Sequence, residues 1–113
     1  MRPQMLLMTL FFATGLLLCA LAIPLIREQI PRNPWYGFRV PKTLASDEVW
    51  YPANRHMGGW LLLCGVITVT GVLALWPFAG RLAVDAVGWW GLALTVIPLM
   101  AAVYKGFRFL EKL

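Results

Sequence analysis

A chain of 113 residues that is 60% hydrophobic and only 13% charged is too small and too apolar for a soluble globule, because short folds bury a modest share of their surface. Its net charge of +5 would point to nucleic acid in a soluble protein. Here the basic residues stand at the ends of apolar runs, where they orient a chain in a bilayer and meet anionic headgroups, so membrane lipids are the expected surroundings and no nucleic-acid partner is expected.

Met5 to Ile26 is a run of 22 uncharged residues flanked by Arg2 and Arg27, long enough at 1.5 Å per residue to cross the hydrocarbon core. Ala20-Leu21-Ala22 resembles a signal-peptide cleavage step, but the apolar run continues past it to Ile26, which favours a retained span. Pro24 is expected to bend the last turn. Cys19 in this run and Cys64 in the next have no C-x-x-C spacing. They are expected to pack as small apolar residues, with no disulfide, metal or cofactor.

Residues 27–56 hold five of the ten Lys and Arg residues, three of the five acids, the single His and both Asn residues. Pro31, Pro34 and Pro41 remove backbone donors and disfavour helix before them, and Gly37 permits a positive φ, so 30–41 is expected to be an ordered turn or a re-entrant loop rather than a helix. Trp35, Tyr36 and Phe38 suit headgroup depth. Ser46 is a good helix N-cap with Asp47 and Glu48 in the first turn, which predicts a helix from about Asp47 to Trp76, kinked or divided at Pro52.

Met57 to Gly80 is a second uncharged run of 24 residues, with Gly58, Gly59, Gly65, Thr68 and Gly71 offering close helix approach, within one chain or between copies of a homo-oligomer. Pro77 and Gly80 should end it. Arg81 and Asp85 belong to a short connection, where Asp85 is expected to cap the next helix or pair with Arg81. Ala86 to Tyr104 is the third run, 19 residues long, with a kink expected at Pro98 and a helical tail carrying Lys105, Arg108 and Lys112. The expected architecture is an all-α integral membrane bundle of three transmembrane helices, a single domain with spans at about 5–26, 57–80 and 86–104 and a structured loop, 27–56, between the first two.

Three spans put the loop and the C-terminal tail on one side. Those segments carry eight basic residues against two, Arg2 and Arg81, on the other. The bias predicts a cytoplasmic loop and tail and an external N-terminus.

The segment Arg32-Asn33-Pro34-Trp35-Tyr36-Gly37-Phe38-Arg39-Val40-Pro41-Lys42-Thr43-Leu44 resembles the signature of the SdpI family of bacterial membrane proteins, an R-N-x-x-x-G-x-R-x-x-K-T-L core. Trp50 and Asn54-Arg55 stand where the family places a Trp and an Asn-Arg pair before the next span. The resemblance implies a bacterial inner-membrane protein of the immunity type. Its implied partners are an antimicrobial peptide toxin or a cytoplasmic regulator.

Independently of the family, Arg32, Arg39, Lys42 and Arg55 form a cationic cluster to which Asn33, Asn54 and Thr43 add neutral donors, a set suited to carboxylate or phosphate. The candidate ligand-binding residues are therefore Arg32, Asn33, Trp35, Gly37, Arg39, Lys42, Thr43, Trp50, Asn54, Arg55 and His56. The same Arg and Asn residues can instead clamp the loop by satisfying backbone carbonyls, with Glu28, Asp47 and Glu48 pairing internally. His56 and Glu48, eight apart, would share a helix face, but one His without further ligands is a weak basis for metal or acid–base catalysis, and no enzymatic motif is present. The alternative to a binding protein is a small oligomeric transporter or lipid-handling protein, which would need a cavity reaching past mid-membrane.

Overall fold

The computed structural model describes residues 2–113. It is an elongated bundle, 51 × 23 × 20 Å, whose described residues contain no strand. The elements are α1 (Pro3–Ile26), α2 (Pro41–Ala45), α3 (Asp47–Leu75), a 3-10 helix (Trp76–Arg81) and α4 (Val84–Leu110). Helices α1, α3 with its 3-10 extension, and α4 are each long and apolar enough to cross a membrane.

Three expectations are refined. Pro24, Pro52 and Pro98 all lie inside uninterrupted helices, so Pro52 does not divide the polar start of α3 from its apolar remainder. The second span changes character at its end: α-helix stops at Leu75, and residues 76–81 tighten into a 3-10 helix with Pro77 in its first turn. Asp85 lies in the first turn of α4, but the N-cap position is Ala83 and has no side-chain cap. Among the described residues no ion pair joins Asp85 to Arg81.

Small residues place the helices. A Cβ on Gly65 would meet the Gly15 carbonyl oxygen at 2.7 Å and Cys19 Sγ at 2.5 Å, so α1 and α3 touch backbone to backbone at mid-span. Gly58 packs on the Ala22 carbonyl and the Leu25 and Ile26 side chains, Gly71 faces Leu94 of α4, and Gly91 receives the Phe11 ring. The glycines expected to allow self-association are thus mostly spent inside one chain; Gly59 alone of the five α3 small residues has open space beyond it. In lipid, where helices gain little from apolar contact as such, this close approach supplies dispersion energy. Both cysteines are free, Cys64 buried and Cys19 half-buried.

The outward faces carry Leu6, Leu10, Leu17, Ile97 and Met100, all more than half or about half exposed, a surface fit for acyl chains. Thr9, Thr14, Thr70 and Thr95 each donate to the carbonyl one turn back, so their hydroxyls need no water. Buried side chains gather at both ends. Phe38, Ala53, Met57, Ala102 and Leu110 pack at the loop end, and Met8, Val72, Ala79 and Val87 at the other.

Candidate functional site

The loop begins with a helix stop made without glycine. Glu28 N–H donates to the Leu25 carbonyl at 3.2 Å and Gln29 N–H to the Pro24 carbonyl at 3.0 Å, the paired bonds of a Schellman ending. Glu28 takes the left-handed position with φ +56°. Its carboxylate lies 3.4 Å from Arg55 on α3.

Asn33 then closes the turn on itself. Its Oδ1 accepts the N–H groups of Trp35 at 2.8 Å and Tyr36 at 2.7 Å. Its Nδ2 donates to the carbonyls of Pro31 at 2.8 Å and Tyr36 at 3.1 Å. One amide thus satisfies four backbone groups that three residues of irregular chain would otherwise leave open.

Gly37 follows at φ +115°, and a Cβ there would lie 2.6 Å from Asn54 Oδ1 and 3.1 Å from the Trp50 ring. Both conformation and space demand glycine. Beneath it, Asn54 and Trp50 are buried in the first turns of α3. Asn54 Oδ1 accepts Phe38 N–H at 2.5 Å and its Nδ2 donates to the Trp50 carbonyl at 3.0 Å. Trp50, 0% exposed, donates Nε1–H to the Ile30 carbonyl at 2.7 Å.

Helix α2 was not expected from the sequence. Its signal was present: Pro41 at the first helical position, an extended Val40 before it, and Thr43 in the third position. Thr43 Oγ1 accepts Val40 N–H at 3.0 Å and donates to the Phe38 carbonyl at 2.8 Å. Ser46 is the N-cap of α3 as expected, though through its carbonyl, which accepts Val49 and Trp50 N–H; its side chain makes no cap bond.

The cations proved less free than their spacing implied. Arg32 Nε sits 2.8 Å from Asp47 and its Nη1 donates to the Leu44 carbonyl at 3.1 Å. Arg39 donates to the Pro34 carbonyl, Arg55 pairs with Glu28, and Lys42 Nζ reaches the last turn of α4, donating to the Leu110 carbonyl at 2.8 Å. Two of the cluster's four members have carboxylate partners and the other two hold carbonyls. Arg32, Asn33, Gly37, Thr43, Trp50 and Asn54 converge on the loop's own backbone, as a clamp.

Trp35 and His56 stand outside that clamp. Trp35 is 84% exposed. His56 stacks flat on Phe109 of α4, ring centroids 4.1 Å apart and 3° from parallel. Among the described residues no hydrogen bond joins it to Glu48. Its Nδ1 is buried without a partner, an omission that costs on the order of 1–3 kcal/mol. Burial, then the nearby Lys112, hold its pKa below the ordinary value.

Beside the clamp, Leu21 and Leu25 of α1 and Met57 and Leu61 of α3 floor a groove of about 410 Å³, with Tyr36 and Arg39 at its margin. Tyr36 anchors the loop here by donating its hydroxyl to the Leu21 carbonyl. Phe38 meets Phe107 of α4 edge to face at 5.2 Å. Neither contact was foreseen, since each pairs residues of separate elements.

Comparison with known families agrees with this layout. The model of the SdpI/YfhL protein family matches residues 29–105, from the helix stop through the clamp and α3 to the end of the third apolar run. The chain belongs to this family, and with three membrane-length helices it is a multi-pass membrane protein. No curated protein and no solved structure matches it.

Proposed function

We propose that this SdpI/YfhL-family protein is an immunity-type protein of the bacterial inner membrane that engages a membrane-active peptide in the groove between the signature loop and helices α1 and α3. In this reading the loop and C-terminus are cytoplasmic and the N-terminus external, following the excess of basic residues on the loop side.

What supports the reading is the groove itself. Its floor of Leu21, Leu25, Met57 and Leu61 is apolar and Arg39 stands at its margin. An amphipathic peptide meets such a site with apolar side chains inward and a carboxylate toward the guanidinium, which presents planar paired donors. The clamp gives the groove a fixed wall, so little ordering entropy is lost on binding. A passage through the bundle is less well supported, because α1 and α3 meet backbone to backbone at Gly15 and Gly65.

Deletion in the native host, followed by challenge with membrane-active peptides, tests the proposal. Sensitivity to at least one peptide should rise. Restoration should succeed with the unaltered gene and fail with Leu25→Glu, which places a carboxylate in the groove floor. Unchanged sensitivity to every peptide, or full restoration by Leu25→Glu, would overturn it.

A further inference from the structure

A second pocket lies at the loop end on the other flank of α3, and neither the family signature nor the proposed peptide groove accounts for it. It measures about 400 Å³ and is walled by His56 and Trp60 of α3 and by Tyr104, Lys105, Arg108 and Lys112 at the end of α4. Arg108 has a partner in Glu111 at 3.7 Å and a hydrogen bond to the Tyr104 hydroxyl at 3.2 Å. Lys105 and Lys112 make no ion pair among the described residues. Three cations therefore face one carboxylate. His56, whose Nδ1 lacks a hydrogen bond, belongs to the same wall.

A second groove adjoins the pocket. His56 and Trp60 are shared with a neighbouring groove of about 340 Å³ that includes Gly59 and Leu63. Nothing lies within 4 Å of the place a Gly59 Cβ would take. Leu63 is seven residues along α3 from His56, roughly 10 Å deeper into the apolar run. A cationic pocket with aromatic walls stands beside an apolar groove on the same helix, one suited to a phosphate group and the other to an acyl chain.

We infer that this pocket binds the phosphate of an anionic phospholipid, with Lys105, Arg108 and Lys112 on the headgroup and one acyl chain along Gly59 and Leu63. The adjoining apolar groove selects a lipid over free phosphate, and Trp60 and Tyr104 hold the pocket at headgroup depth. The site is independent of the proposed peptide groove. Of its lining, Arg108, Phe109 and Lys112 lie beyond the residues that the family model matches, while His56, Trp60, Tyr104 and Lys105 lie within them.

Native mass spectrometry of the full chain in detergent, titrated with dioleoylphosphatidylglycerol, dioleoylphosphatidylcholine or inorganic phosphate, reads the site. Phosphatidylglycerol should bind about tenfold more tightly than phosphatidylcholine. The triple variant K105Q/R108Q/K112Q should lose about that factor, whereas R2Q/R27Q/R81Q, with the same loss of charge, should stay within about twofold. Equal losses in the two triple variants would reduce the effect to general surface charge and overturn the site. Displacement of the lipid by inorganic phosphate would overturn the choice of a lipid. Gly59→Leu fills the groove and leaves every cation in place, so it tests the site even if the charge variant does not fold. It should weaken lipid binding several-fold with helicity unchanged, and undiminished binding would refute the acyl-chain assignment.

Discussion

The signature loop and the end of α4 bring cations to the same end of the bundle, and they spend them differently. In the loop, Arg32, Arg39 and Lys42 donate to the carbonyls of Leu44, Pro34 and Leu110, while Arg32 and Arg55 hold Asp47 and Glu28. At the end of α4, Lys105 and Lys112 wall an open pocket with no ion-pair partner among the described residues. Irregular backbone near a membrane needs donors for its carbonyls, and a loop with three prolines cannot supply them from its own N–H groups. Its polar side chains do so instead. The last turn of α4 receives a donor from the loop, Lys42 on the Leu110 carbonyl, and its own cations are left for other partners. Counting charges in a motif therefore measures ligand capacity poorly until the carbonyls they satisfy are subtracted.

Removing glycine from the clamp should test that contrast most severely. Gly37→Ala combines a left-handed φ with a Cβ at 2.6 Å from Asn54 Oδ1. Strain and overpacking together should cost about 3–4 kcal/mol, measured by unfolding in detergent. Next comes Asn54→Ala, which leaves Phe38 N–H buried without its 2.5 Å acceptor and should cost about 2–3 kcal/mol. If either variant matched the parent in stability, the loop would not be a clamp.

The paired cations should matter much less. Asp47→Asn removes the carboxylate facing Arg32 on a well-exposed pair and should cost less than about 1 kcal/mol, since solvent screens such pairs. Glu28→Gly is more informative because two effects oppose each other. Relief of the left-handed conformation at φ +56° should return about 1 kcal/mol, and loss of the exposed Arg55 pair takes back less than that. The net change should be neutral to slightly stabilising. A clear loss would mean the Glu28–Arg55 pair ties the loop to α3 more strongly than its exposure allows.

Much of this could be derived from residue order. Three uncharged runs bounded by charged residues mark the spans, and Ser46 with Asp47 and Glu48 marks where α3 begins. Gly37 was legible because three neighbouring prolines and aromatic residues leave glycine as the residue that can turn the chain. What could not be derived was pairing between elements. Lys42 caps a helix 68 residues away, and His56 stacks on Phe109 rather than facing Glu48 across a shared cleft. The eight-residue spacing placed His56 and Glu48 on one helix face, but helix periodicity says nothing about which neighbour that face meets. Of the two outcomes expected at Pro52, a kink or a division, the division is excluded, because α3 runs unbroken from Asp47 to Leu75.

The smallest expected effect is a pH dependence that separates the two basic regions. His56 lies one residue before the second apolar run, stacked on Phe109 and near Lys112. Burial and that lysine hold its folded pKa below the unfolded value. A depressed pKa means that the unfolded chain binds the proton more readily, so the neutral ring's contribution to stability is complete above about pH 6.5 and is lost as pH falls below it. Unfolding measured between pH 7.5 and 5 should therefore show a decline that His56→Phe abolishes while keeping the stack on Phe109. Lys112→Gln should make the decline shallower, because a nearby positive charge is one cause of the depression. Clamp variants such as Asp47→Asn should leave it unchanged, since His56 has no ion-pair partner in the loop among the described residues. A decline that survived His56→Phe would place the titrating group elsewhere and remove the electrostatic distinction between the loop and the end of α4.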